Sequence, residues 1–241
     1  MKWLDLKEKA FLTGKSILVV LLLDYFFYQS FLALSWLCFI GIFFYRIEKR
    51  ELVKVKKSMA KEQFKELLLL VCTGQKAGLS VENAFLTGYR DMKNLYGEKS
   101  FICEILYILK AGKENHIPFA KLWRGIGDST DIQEIREFAA VYEIAYRSSG
   151  NMTAVMEKTA GIIIQKIETE KEIEVMLSAR KMEQKIMNGM PFFIMLYINL
   201  TSPGYFDGLY HSYSGMLIMT ICLLIYLGSY ILSRKLSSIE V

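Results

Sequence analysis

Two long stretches of the chain contain no lysine or arginine. Residues 16 to 45 hold no Lys or Arg and one acid, Asp24, and residues 186 to 233 hold none and one acid, Asp207. Of 30 Lys and Arg in 241 residues, 24 fall between Arg46 and Lys185, together with 20 of the 25 acids. A chain that is 53% apolar and 23% charged cannot keep such blocks apart in one water-soluble globule. Partition of this kind argues against a disordered tail, a soluble enzyme and a disulfide-stapled secreted domain. It predicts an all-α membrane protein, with a membrane segment over 1–45, a charged water-facing domain over 46–186, and a second membrane segment with a short tail over 187–241. The four cysteines, Cys38, Cys72, Cys103 and Cys222, are single and widely spaced and form no C-x-x-C pair. Bases interleave with acids in the middle domain, so no nucleic-acid partner is predicted.

The first apolar block, Ser16 to Tyr45, would run about 45 Å as one helix against a hydrocarbon core of roughly 30 Å. Two readings compete. In one, a tight turn near Tyr28-Gln29-Ser30 joins two short spans, with Lys7, Lys9 and Lys15 at the entry. In the other, a single tilted helix puts the N-terminal lysines on the opposite side from Arg46, Lys49, Arg50, Lys54, Lys56 and Lys57. The positive-inside rule favours the turn. The second block divides into Met187 to Thr201 and Ser214 to Leu232 around Ser202-Pro203-Gly204-Tyr205-Phe206-Asp207-Gly208. With Arg234 and Lys235 after the last span, both termini and the middle domain are predicted cytoplasmic. The run from Ile17 ends in Asp24-Tyr25-Phe26-Phe27 and not in a small-residue cleavage site, which predicts an uncleaved anchor.

The middle domain has one proline, Pro118, and no sustained period-2 alternation. Helices are predicted over about 60–76, 80–94, 100–111, 117–126, 130–148 and 152–187, the last running without a break from the domain towards the third span. Gly78 is placed to end one helix in a left-handed conformation and Ser80 to cap the next; Gly150 and Asn151 stand in the same relation at a second corner. In the last helix, Val155, Ile162, Ile173, Met176 and Leu177 fall within roughly 100° of arc and predict the packed face. Lys166 with Glu170, and Glu168 with Lys171, have the spacing of pairs along that helix, each contributing about 0.2–0.5 kcal/mol.

Chemistry is sparse. Gly125-Ile126-Gly127-Asp128-Ser129-Thr130 lacks the lysine and spacing of a phosphate loop and reads as a helix-to-helix turn, with Asp128 or Thr130 as cap. His116 lies in a loop and His211 at the outer end of the last span, so no ligand set with metal spacing is readable. Asp24 is the lone ionisable group inside the spans. Alternate glutamates Glu168, Glu170, Glu172 and Glu174 project to different faces. No catalytic residue, cofactor or metal is predicted. The aromatics Tyr205, Phe206, Tyr210 and Tyr213 sit where an interfacial belt would.

Gln63-Phe64-Lys65-Glu66-Leu67-Leu68 running to Lys76-Ala77-Gly78-Leu79-Ser80-Val81-Glu82-Asn83-Ala84-Phe85 resembles the F-domain platform proteins of type II secretion and Tad-type pilus systems. Ile135-Arg136-Glu137-Phe138-Ala139 leading to Arg147-Ser148-Ser149-Gly150-Asn151 is similar to that family's second helix hairpin. Lys181-Met182-Glu183-Gln184-Lys185-Ile186 into Met190-Pro191-Phe192 is similar to its re-entry into the membrane, and Thr201-Ser202-Pro203-Gly204-Tyr205-Phe206-Asp207 through Leu209-Tyr210-His211 is similar to the outer loop of a bacterial subgroup, with Pro191, Pro203 and Gly204 read as structural turns. The resemblance implies a bacterial cytoplasmic-membrane protein, with a cytoplasmic bundle of about six helices flanked by two transmembrane helical hairpins. It implies no catalysis. It implies partners: a cytoplasmic secretion ATPase, pilin subunits, membrane lipid, and a homologous platform subunit or a second copy, because only one such domain is present. A small transporter or channel subunit is the rival reading, and a membrane-anchored sensor the next.

Overall fold

The structure, a computed structural model, describes residues 6–28, 31–148, 152–202, 204–210 and 212–237. Gly150, Asn151, Pro203 and His211 lie outside the described residues. The described residues form α1 (Leu6–Phe27), α2 (Phe31–Lys76), α3 (Val81–Tyr96), α4 (Phe101–Glu114), α5 (Phe119–Thr130), α6 (Gln133–Arg147), α7 (Met152–Thr201), α8 (Asp207–Tyr210) and α9 (Tyr213–Ser237), with no strand among them. The chain divides into two compact units: Val53–Lys171, and Leu4–Leu52 with Glu172–Val241.

The first unit is a helical bundle whose core follows helical spacing. Positions i, i+3, i+4 and i+7 recur in α2 (Ala60, Phe64, Leu67, Leu68, Val71), α3 (Val81, Ala84, Phe85, Met92) and α6 (Ile135, Phe138, Ala139, Tyr142). At its centre five aromatic rings interlock. Phe138 meets Trp123 at 4.9 Å between centroids, Phe64 at 5.6 Å and Phe85 at 5.8 Å, all near edge-on, with Tyr142 beyond. That geometry sets the positive ring edge against the negative face. Gly127 lets α5 and α6 touch: a Cβ there would come within 3.2 Å of the Arg136 Cα.

Turn chemistry fixes the corners. Gly78 has φ +89°; its N–H donates to the Gln75 carbonyl, and Leu79 N–H donates to Gly74 O at 3.0 Å, the paired bonds of a Schellman motif. Ser80 then caps α3 through Asn83 N–H. The end of α4 repeats the motif with a non-glycine: His116 takes φ 56°, while His116 and Ile117 donate back to Lys113 and Gly112.

Three boundaries differ from those read in the sequence. The first domain helix does not start near residue 60. α2 runs unbroken from Phe31, since it contains no proline and its two glycines sit at close contacts, Gly41 against Val20 and Gly74 against Ala84. The expected turn at Gly125–Thr130 is instead the last two turns of α5, and Asp131, at φ 53°, makes the turn. Asp tolerates the left-handed region better than most residues. α7 runs unbroken into the second apolar block, as its sequence reads, but Pro191, read as a structural turn, lies inside it; the helix continues to Thr201 and forgoes only the bond the missing N–H would make to the Met187 carbonyl.

In the second unit α1 ends at Phe27 and α2 begins at Phe31; Gln29 and Ser30 of the expected turn lie outside the described residues. The two run antiparallel: Val20 packs on Gly41 and Lys15 pairs with Glu48. A small core of Val20, Leu23, Phe26, Phe27, Leu37, Met219 and Leu223 holds α1, α2 and α9 together. Tyr210 donates to the Phe26 carbonyl at 2.8 Å, Tyr226 to the Asn188 carbonyl at 3.1 Å, and Gln184 to Ser233 at 2.6 Å. Among the described residues, two helices are long and apolar enough to cross a membrane: Leu6–Phe27, with mean hydropathy 1.8, and Tyr213–Lys235, with 2.1.

Candidate functional site: a charged face on the helical unit

On α2, Lys57, Lys61 and Lys65 recur every four residues and so stand in one row. Within the same unit, the start of α6 and the segment of α7 up to Lys171 bring acids to that row. Lys61 donates to Glu170 at 2.7 Å and approaches Glu134 at 3.0 Å. Lys57 meets Asp131 at 2.6 Å, and Lys65 meets Glu62 at 2.9 Å with Glu66 and Glu168 at 3.8 Å. Lys171 closes on Glu62 at 2.7 Å, and Lys166 on Glu137 at 3.3 Å and Glu134 at 3.5 Å. Three helices are cross-linked by this lattice.

Glu134 is its most deeply buried member, 1% exposed, and one of its oxygens has no hydrogen-bond partner among the described residues. Burial pushes its carboxyl upward, but a backbone amide in the first turn of α6, together with Lys61 and Lys166, outweighs burial and holds the group below the ordinary glutamate value. An acid in the first turn of a helix also faces the positive end of the dipole. Lys61 shows the converse. Burial lowers its ammonium, its bonds to Glu170 and Glu134 raise it more, and the net direction is upward. Glu62, with Lys171 and Lys65 overcoming burial, is likewise held down. Both charge states are thereby fixed at neutral pH.

The pairs predicted along α7 form across helices instead. Lys166 reaches α6, Glu170 and Glu168 reach α2, and Lys171 reaches Glu62. The packed face of α7 within this unit is Met156, Ala160, Ile163 and Ile167, whereas Val155 and Ile162, predicted to be buried, are exposed. Sequence reasoning missed Glu134 altogether. The signal that marks the lattice is the four-residue recurrence of lysine on α2 opposite acids on two other helices.

Elsewhere on this unit, Ile108, Ile117, Leu122 and Ile126 line a shallow apolar depression of about 330 Å³ over the bare Gly125 backbone. Trp123 Nε1 and Thr130 Oγ1 are buried without partners among the described residues. Of the structural positions read in the sequence, Gly78 and Ser80 form one corner, Pro191 lies inside α7 and Gly204, at φ +89°, lies in the α7–α8 turn. They share no site. The lattice can lock helices and present charge, and it holds no nucleophile–base pair among its members. No protein-family model, curated protein or solved structure matches this chain.

Proposed function

We propose that the chain is a non-catalytic membrane platform subunit of a pilus-assembly or type II-like secretion machine. In this reading the second unit is embedded in a bacterial cytoplasmic membrane as two helical hairpins, α1 with the first part of α2 and the end of α7 with α9. The bundle of the first unit and both termini lie in the cytoplasm. There the bundle docks a secretion ATPase, while the membrane-embedded helices handle pilin subunits; a sister platform subunit or a second copy completes the assembly.

The observation that carries the reading is the contrast in surface chemistry. The bundle wears an ion-paired face locked by Glu134 and Lys61, suited to a rigid docking surface, whereas the helices of the second unit expose Leu217, Ile221, Leu224 and Ile225, suited only to lipid or apolar partners. Pull-down of the detergent-solubilised full chain from a pilus-producing cell is expected to recover a secretion ATPase or a sister platform subunit. Recovery of neither would sink the proposal.

A transporter subunit is favoured by one observation, an oxygen of Asp24 that is buried without a partner among the described residues. That reading requires solute or ion flux in proteoliposomes holding this chain alone, lost in Asp24→Asn.

A further inference from the structure

One face of α2 in the second unit is built in two halves. Counting 100° per residue, Phe39, Ile42, Phe43, Arg46, Lys49 and Arg50 all fall within an arc of about 120°. The first three are apolar and 79%, 59% and 49% exposed. The next three are cations, all exposed, with no hydrogen bond or ion pair among the described residues. The acids of this stretch point elsewhere: Glu48 is taken by Lys15, and Glu51 by Arg234 at 3.0 Å. The face therefore carries about 6 Å of bare apolar helix followed by about 6 Å of uncompensated positive charge.

We propose that this face binds an anionic phospholipid, its phosphate held by Arg46, Lys49 and Arg50 and an acyl chain laid on Phe39, Ile42 and Phe43. The inference rests on the membrane reading of the second unit. Spacing of i, i+3 and i+4 sets the three cations around one point, and the two guanidinium groups can each hold a phosphate oxygen pair. A zwitterionic headgroup brings its own cation against this triad, so net negative lipids are selected. Free phosphate would use the cations and leave the aromatic half unused, which separates the two sources of the same chemistry.

The test uses the purified full chain in a non-ionic detergent and fluorescently tagged phosphatidylglycerol or phosphatidylcholine. Saturable binding of phosphatidylglycerol about tenfold tighter than phosphatidylcholine is expected, and most of that preference should vanish in the Arg46→Gln/Lys49→Gln/Arg50→Gln variant. A control with the same loss of charge on the bundle, Lys99→Gln/Lys110→Gln/Lys121→Gln, should keep it. Equal loss in both variants would reduce the effect to net charge and overturn the site, as would displacement of the lipid by low millimolar inorganic phosphate. Circular dichroism checks that the variants fold, and Arg46→Gln alone should show an intermediate preference if the triple variant does not. Retention of the wild-type chain in phosphatidylcholine vesicles through an alkaline wash reads the membrane assignment separately. Retention without anionic preference sinks only the lipid site, and loss of retention sinks the membrane reading itself.

Discussion

The two units place large apolar residues on opposite sides of the same rule. In the bundle, Phe64, Phe85, Trp123, Phe138 and Tyr142 are all no more than 1% exposed, and the outer surface mixes ion-paired charge with scattered apolar residues such as Leu95 and Ile144. In the second unit only a thin core is buried, and the window that defines the most apolar helix is 17% buried. Hydrophobic burial in water accounts for the first arrangement, at roughly 25 cal/mol per Å² removed from solvent. It cannot account for the second. Under the proposed function these helices turn their apolar side chains towards lipid, a solvent that tolerates only helices satisfying their own backbone. The lesson is that exposure has meaning only with the solvent named.

That comparison can be broken at four places. The largest effect is expected at the aromatic centre: Phe138→Ala should cost the bundle about 3–5 kcal/mol, because four facing rings lose their partner and the space cannot close. Denaturant unfolding followed by circular dichroism would show it, and a cost below about 1 kcal/mol would mean the core is not packed as described. Next is a matched pair of exposed residues. Leu224 (63% exposed) and Ile144 (69% exposed) look alike by area. Leu224→Lys should oppose membrane insertion by about 2.5–3.5 kcal/mol, while Ile144→Lys should change stability by less than about 0.5 kcal/mol. Equal tolerance at both positions, read by membrane fractionation and thermal unfolding, would erase the distinction between the units.

Third comes the ion-pair lattice. Glu134→Gln should cost about 2 kcal/mol, since Lys61 keeps Glu170 but loses its buried partner. The pH dependence has a defined sign. Glu134 and Glu62 are held below 4.5 in the folded chain, so their contribution is present above that value and is lost as pH falls through their folded pKa. Lys61 and Lys65 are held above 10.5, so theirs is complete below that value and is lost as pH climbs past it. A stability plateau from about pH 5 to 10 should therefore lie between two declines, with the acid decline shallower in Glu134→Gln. An unchanged acid limb would show that the lattice contributes nothing. Smallest of the four, Gly78→Ala should cost about 1 kcal/mol in melting experiments, because no neighbour lies near the added Cβ and only the backbone at φ +89° objects.

Helix positions in the bundle were readable because Gly78, Ser80 and Pro118 punctuate a clear helical period. Three things were not. Gly125 and Gly127 look like a turn, yet Gly127 is small because the α6 backbone passes beside it. A single stripe fitted from Val155 to Leu177 merged two packing faces, because α7 leaves the bundle unit after Lys171. Charge pairs were sought along one helix, where spacing is visible in sequence, while the ones that form join residues up to 109 apart. The exposed apolar helices of the second unit were legible from the absence of Lys and Arg; which faces they bury against each other was not.

Cysteine accessibility on intact bacterial cells tests the central claim most directly, using a chain cleared of Cys38, Cys72, Cys103 and Cys222 with one cysteine returned at Ser100 or at Ser212. A membrane-impermeant maleimide should label Ser212→Cys at once and Ser100→Cys only after the membrane is opened. Immediate labelling of Ser100→Cys, or equal labelling of both, would put the bundle outside the reach of any cytoplasmic motor and contradict the account.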